Sequence, residues 1–170
     1  DKYWDWVEIK LKRVNAKTEK AITQIERSAT LNGKLAKNDT ARKQVKHEKS
    51  TNDAAAKRYL KQANIVAKKT GLKSGTIKKI KNGKIDIDSY GEKTQKKIQG
   101  YQTWYDKYLE AKNTAAELAQ KEKELAKERL SYIKDYYNSV VSLKNAMKDV
   151  ADFKIEREKL PNPSICKEAA

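Results

Sequence analysis

Residues 71–91 read GLKSGTIKKIKNGKIDIDSYG and hold four of the six glycines, at 71, 75, 83 and 91. The sequence on either side is almost free of Gly and Pro and reads as helix. Gly71 after Thr70 is a helix stop, because glycine enters the left-handed region without a Cβ clash. Ser74 is expected to cap a short helix, 75–81, that Asn82 and Gly83 close. Ile85 and Ile87 alternate with Asp86 and Asp88 over too few residues for a strand, so they are expected to tuck against a helix end. Ser89 and Glu92 fit a capping box, in which the Ser oxygen meets the amide three residues on and the Glu reaches back. One helix stops, a compact connector turns, and a second helix starts.

The arms around this connector are nearly equal, 2–68 and 92–157. At about 1.5 Å per residue each is on the order of 100 Å long. The expected fold is all-α: an antiparallel helical hairpin, or coiled coil, of two long helices with a short helix-containing connector. It occupies 1–160 as one domain, with the first helix open to a break near 30–53, the connector at 69–91 and a disordered tail at 161–170, where Pro161 and Pro163 end the helix. Paired positions are expected to total about 160, with Tyr59 near Tyr101, Ala56 near Trp104, Val14 near Met147 and Val7 near Phe153. The alternative is one extended rod, in which Val14 and Met147 lie on the order of 200 Å apart.

In the first arm Trp4, Val7, Leu11, Val14, Thr18, Ala21 and Ile25 alternate three and four apart, the spacing of a coiled-coil seam. The pattern weakens between Ala29 and Asp53, where Asn32-Gly33 and Asn38-Asp39-Thr40 are poor helix formers, and returns at Asn52, Ala56, Tyr59, Ala63 and Val66. In the second arm it runs from Ile98 and Tyr101 through Tyr105, Tyr108, Lys112, Ala115, Ala119, Glu122, Ala126 and Arg129 to Ile133, Tyr136, Val140, Leu143, Met147 and Val150, and is weak over its middle, Lys112 to Arg129. A neighbouring stripe carries Trp104, Ala111, Leu118, Leu125 and Tyr132, as expected when the apolar face drifts around a helix. The weak middles fall opposite each other and are expected to be the most mobile part. The stripe at Leu118 and Leu125 is expected to pair with another copy of the chain, making a homo-oligomer.

Only 38% of residues are hydrophobic and 36% are charged, too polar for one large globular core. No apolar run is long enough for a membrane span, and no signal peptide is evident. The chain begins DKYWDW without Met, which reads as a fragment or processed piece. Lone Cys166 and lone His47 give no internal disulfide and no metal-ligand cluster, and favour a reducing compartment. Asp86 and Asp88 are the connector's two carboxylates. Without a third ligand, capping and turn formation explain them better than acid/base work or cation binding. Neither GxxxxGK[ST] nor GxGxxG is present. No cofactor and no catalytic residues are expected, and the chain reads as a non-enzyme.

Net charge is +16. Residues 1–70 carry 18 basic and 8 acidic groups, 71–91 carry 5 and 2, and 92–170 carry 16 and 13. The first arm and connector form the basic part, which attracts nucleic acid, anionic lipid or an acidic protein wall. Tyr101, Trp104, Tyr105 and Tyr108 beside lysines are compatible with base stacking, although their helical spacing favours core packing.

Several segments together carry a resemblance: DWVEIKLKRV, KTEKAITQIERSAT, RYLKQANIVAKKTGLKSGTIKKIKNGKIDI and KKIQGYQTWYDKYLEAKNTAAELAQKEKEL. They resemble a helical region of tail tape measure (minor tail) proteins from long-tailed phages and prophages of Firmicutes. The resemblance spans roughly residues 3 to 130 and is most specific at NGKIDI and YQTWYDK; it departs in a Lys-rich turn where the family has more Ser. It implies a long helical virion protein, made in the bacterial cytoplasm, that extends in the tail tube with other tail proteins, sets tail length and leaves during DNA ejection. Beside it stand two other readings: a basic helical module that binds nucleic acid, and a helical adaptor or toxin-like module of a bacterial system.

Overall fold

The structure is a computed structural model that describes residues 2–158, and their side chains through 152. The expected Phe153 contact and the 161–170 tail, with Pro161, Pro163 and Cys166, lie outside the described side chains and residues. The order of elements is α1 (Lys2–Thr70), α2 (Ser74–Lys81), a 3-10 turn (Ile87–Ser89) and α3 (Glu92–Glu158), with no strand among the described residues. The long helices α1 and α3 pack antiparallel, as a helical hairpin. Two compact units divide it, Asp1–Asp39 with Lys127–Ala170, and Thr40–Ala126.

The break expected near 30–53 is absent: α1 is one helix through Asn32, Gly33 and Asn38. Tertiary packing overrides weak propensity here, since Leu31, Asn38 and Val45 are all buried. Non-exposed seam positions in the first unit run Tyr3, Val7, Lys10, Val14, Lys17, Ala21, Gln24, Ser28, Leu31, Leu35 and Asn38. In the second unit they continue at Arg42, Val45, Lys49, Asn52, Ala56, Tyr59, Ala63 and Val66. The spacing alternates three and four without a slip.

Half of the expected seam is therefore displaced by one residue. Val7, Val14 and Ala21 hold their places, but Trp4, Leu11 and Ile25 are exposed on the flank. Tyr3, Lys10, Lys17 and Gln24 occupy the inner positions instead. In α3, Ala115, Glu122, Arg129, Tyr136, Leu143 and Val150 hold, while Ile133, Val140 and Met147 are exposed. The neighbouring stripe Ala111, Leu118, Leu125 and Tyr132 is the other half of the seam and continues into buried Ser139 and Ala146. Leu118 and Leu125, expected on an outer stripe, are half-buried within the hairpin.

The register also differs. Ser28 meets Ser139, Asn38 meets Glu128 and Asp39 meets Arg129, so paired numbers in the first unit total 166 to 168. In the second unit Val66 lies 3.6 Å from the place a Cβ on Gly100 would take, and Lys46 reaches Glu122 at 4.0 Å. Relative to the expected total of 160 this is a shift of about seven, one heptad. Position 153, not Met147, comes level with Val14. The shift arises because α3 begins before the seam does. Its residues Glu92–Lys97 precede the first buried seam residue, Ile98, alongside the connector.

Both connector stops have the same construction. Leu72 N–H donates to the Ala67 carbonyl at 3.1 Å and Gly71 N–H to that of Lys68 at 3.4 Å, with Gly71 at φ 67°. Lys84 N–H donates to Lys79 at 2.9 Å and Gly83 N–H to Ile80 at 3.1 Å, with Gly83 at φ 65°. These pairs are Schellman motifs, which satisfy the last carbonyls of a helix around a left-handed glycine. A side chain at Gly83 is disfavoured by about 1–2 kcal/mol, whereas Gly33 lies exposed inside α1 with open space around it. Gly83→Ala is expected to lower the urea stability of the chain by that amount. Gly33→Ala is expected to raise it by about 1 kcal/mol, both followed by far-UV circular dichroism.

Candidate functional site

A core of buried apolar residues lies at the connector end of the second unit. Ala63, Ala67, Ile80, Ile98 and Tyr101 form a buried cluster, with Leu72, Ile77, Ile85, Ile87, Tyr90, Trp104 and Tyr105 packed against it. The two Schellman stops aim Leu72 and the start of Lys84–Ile87 back at the helix pair, so Ile85 and Ile87 tuck in as expected. The aromatic residues form a ladder along α3. Tyr101 stacks on Tyr105 at 5.7 Å, Tyr105 lies 5.5 Å from Tyr108, and Tyr59 crosses from α1 to Trp104 at 6.1 Å. Tyr101 is 0% exposed, so it packs and is not available to stack bases. Lys107 sits 4.8 Å over the Trp104 ring, and Lys112 lies 5.7 Å over that of Tyr108.

Two capping expectations are corrected. Ser74 is not the cap: Lys73 holds the extended pre-helical backbone and no side-chain cap bond forms there. Ser74 is already inside α2 and is exposed. Ser89 and Glu92 do not form a capping box. Ser89 ends the 3-10 turn and its hydroxyl donates to the Asp86 carbonyl at 2.6 Å. The chain needs Tyr90 and Gly91 to leave that turn, and the Gly91 carbonyl accepts from Gln95 N–H at 2.9 Å. The Gln95 side chain reaches back to the Tyr90 carbonyl at 2.8 Å. Glu92 opens α3, where its charge suits the helix N-terminus.

Around this cluster the surface is strongly basic. Ten lysines and three carboxylates lie between Lys68 and Lys97, all exposed. Lys57, Lys61 and Lys68 rim a shallow groove floored by Leu60 and Ile65. Asp86 and Asp88 are exposed, and Asp86 takes part in the turn through its carbonyl. Among the described residues no group of three His, Cys, Asp or Glu comes together to hold a metal, and no helix is long and apolar enough to cross a membrane.

The first unit is held by polar contacts that the sequence reading missed. Ser139 is fully buried and donates to the Gln24 carbonyl at 3.2 Å, so the 2.5 Å contact between the two serine hydroxyls has Ser28 as donor. Asn38 donates to Glu128 at 3.4 Å, Tyr132 donates to the same carboxylate at 2.5 Å, and Arg129 pairs with Asp39. The Glu128 hydrogen bond holds the Tyr132 hydroxyl above its usual pKa. At the N-terminus Tyr3 meets Trp4 edge-on at 5.3 Å, and Lys10 lies 5.5 Å over the Trp6 ring. Only the correct heptad phase brings Ser28, Asn38 and Ser139 inward, and their polarity hid that phase. No protein family, curated protein or solved structure matches the chain.

The Tyr101 hydroxyl is buried without a hydrogen bond. Its pKa is raised by burial, and further by Tyr105. Replacing a buried unsatisfied hydroxyl removes its desolvation cost, so Tyr101→Phe is expected to stabilise the fold by about 1 kcal/mol in urea unfolding at pH 7. A raised tyrosine pKa means that the folded state favours the neutral ring. That stability is complete below about pH 10 and is lost as pH climbs through the folded value. The phenylalanine variant is expected to lose this part of the alkaline fall, and a less stable variant at pH 7 would show that the hydroxyl is satisfied.

Proposed function

We propose that this chain is a non-enzymatic structural segment of a phage tail, resembling part of a tape measure protein, that works by packing long helices during tail assembly and length determination. Its place is the virion tail, its partners are other tail proteins, and it is made in the bacterial cytoplasm. The observation that carries the reading is the pair of unbroken helices of 69 and 67 residues, whose contacts follow a seven-residue repeat. Such a repeat extends by adding heptads without redesigning any site, which is what a part whose length matters requires. A hairpin is shorter than a ruler of the same chain, so the ruler role implies that the arms separate at the connector and line up in the tube.

The test is deletion of one heptad from each arm at paired positions in the tail-encoding genome, followed by electron microscopy of purified tails. Fourteen residues at about 1.5 Å each give tails about 21 Å shorter. Unchanged tail length, or tails that lack the chain by mass spectrometry, would remove the reading.

The ten exposed lysines between Lys68 and Lys97 favour a second reading, a basic module that holds nucleic acid. Phosphate contacts release counterions, so affinity for a DNA duplex is expected to fall steeply between about 50 and 200 mM salt. Replacing Lys78, Lys79 and Lys81 with Glu is expected to flatten that dependence. Fluorescence anisotropy with no binding at about 150 mM salt sinks this alternative.

A further inference from the structure

The inner columns of the first unit are more polar than its flank. Take Val7 as position a of the heptad. The inner d column then reads Lys10, Lys17, Gln24, and the adjacent e column reads Leu11, Thr18, Ile25. In α3 the d column holds Tyr132, Ser139 and Ala146, and the e column holds Ile133, Val140 and Met147. Leu11, Ile25, Ile133, Val140 and Met147 are between 41% and 60% exposed. Ile22, Leu130 and Tyr137 extend the two stripes outward, and they too are exposed.

Both stripes lie on one side of the hairpin. In an antiparallel helix pair like flanks meet, so e faces e and g faces g. The contacts in this unit agree: Asp39, at e, reaches Arg129, at a, whereas Lys34, at g, lies over the ring of Tyr132, at d. The two sides differ in charge. The g column of α1 is Arg13, Lys20, Arg27 and Lys34, and that of α3 contains Glu128, Asp135 and Asp149. On the other side, positions b and e of α1 from Leu11 to Ala36 carry no charge, and those of α3 from Leu130 to Met147 carry one, Lys144. A zone of this length with a single charge is unexpected in a chain that is 36% charged.

We infer that this face is the interface between two copies of the chain, which pack their apolar sides together as a four-helix bundle. Depletion of charge with retention of large apolar groups marks the core of an interface rather than a solvated face. A strongly acidic or basic partner finds no opposite charge here, whereas a second copy brings the same neutral surface with the same seven-residue spacing. The face continues directly from the established seam, as in bundles whose helices bury more than one side. It runs about 30 Å along two helices each about 10 Å across, roughly 600 Å² per copy. Two such faces bury on the order of 1,200 Å², the lower end of specific stable interfaces. The inference stands whether or not the chain belongs to a phage tail.

Sedimentation equilibrium of the full 170-residue chain from 1 to 100 μM tests it. The expected mass is twice 19.5 kDa at the upper concentrations. Ile25→Lys with Val140→Lys is expected to return the mass to one chain, with unchanged helical circular dichroism. Should that pair unfold the chain, Ile25→Ala with Val140→Ala keeps the helix and is expected to weaken dimerisation more than tenfold. Leu109→Lys changes an exposed leucine of the other unit and is expected to leave the dimer intact. A one-chain mass at 100 μM, a dimer indifferent to the alanine pair, or a dimer broken by Leu109→Lys overturns the inference.

Discussion

A seven-residue seam between antiparallel helices is degenerate. Sliding one helix by a heptad returns every inner position to an equivalent one, so the seam does not select its own register. Here the degeneracy is removed at the connector. Tyr101 and Ile98 are fully buried against Ala63, Ala67 and Ile80. Small residues at 63 and 67 leave room for the tyrosine ring, and Gly100 lies against Val66. Two left-handed glycines fold α2 and the Ile85–Ile87 segment over the same place. Burying one such large side chain is worth roughly 1.5–3 kcal/mol, and the cluster sets the register of its own unit.

This dependence explains what was legible in the sequence. Helix existence, the stops at Gly71 and Gly83, and the inward role of Ile85 and Ile87 follow from local chemistry, which a sequence displays directly. The register does not. Counting from the helix ends places α3's first residue level with α1's last, but Glu92–Lys97 precede the seam, and the error is one heptad, the slip that the repeat itself conceals. The phase fails for a different reason. Periodicity is read by following apolar residues, and in the first unit Leu11 and Ile25 are more apolar than Lys10 and Gln24 beside them. The apolar signal there belongs to the flank, and the helix buries the stems of its lysines instead.

The two units therefore solve the same packing problem with different materials. Between Thr40 and Ala126 the inner positions hold alanines and an aromatic ladder, and charge is spread over the exterior as lysine. In the unit of Asp1–Asp39 with Lys127–Ala170, Ser28, Ser139, Asn38 and Glu128 meet across the seam. Cross-seam hydrogen bonds of this kind contribute about 1 kcal/mol each at best. Their consequence is specificity: a polar side chain inside a seam is satisfied in one register and left stranded in its neighbours.

That difference bears on function through energetics. A seam that mixes valine, leucine and tyrosine with lysine stems, glutamine and serine gains less from burial than an all-apolar one, so the free energy separating paired from parted arms is smaller there, while the connector cluster resists opening. Long helices with this distribution are suited to changing partners, because the groups that leave the seam are already polar and the groups that seek burial are already outside. Among the described residues the chain gathers a cluster of buried apolar groups at the connector turn and carries most of its titratable groups on solvated faces.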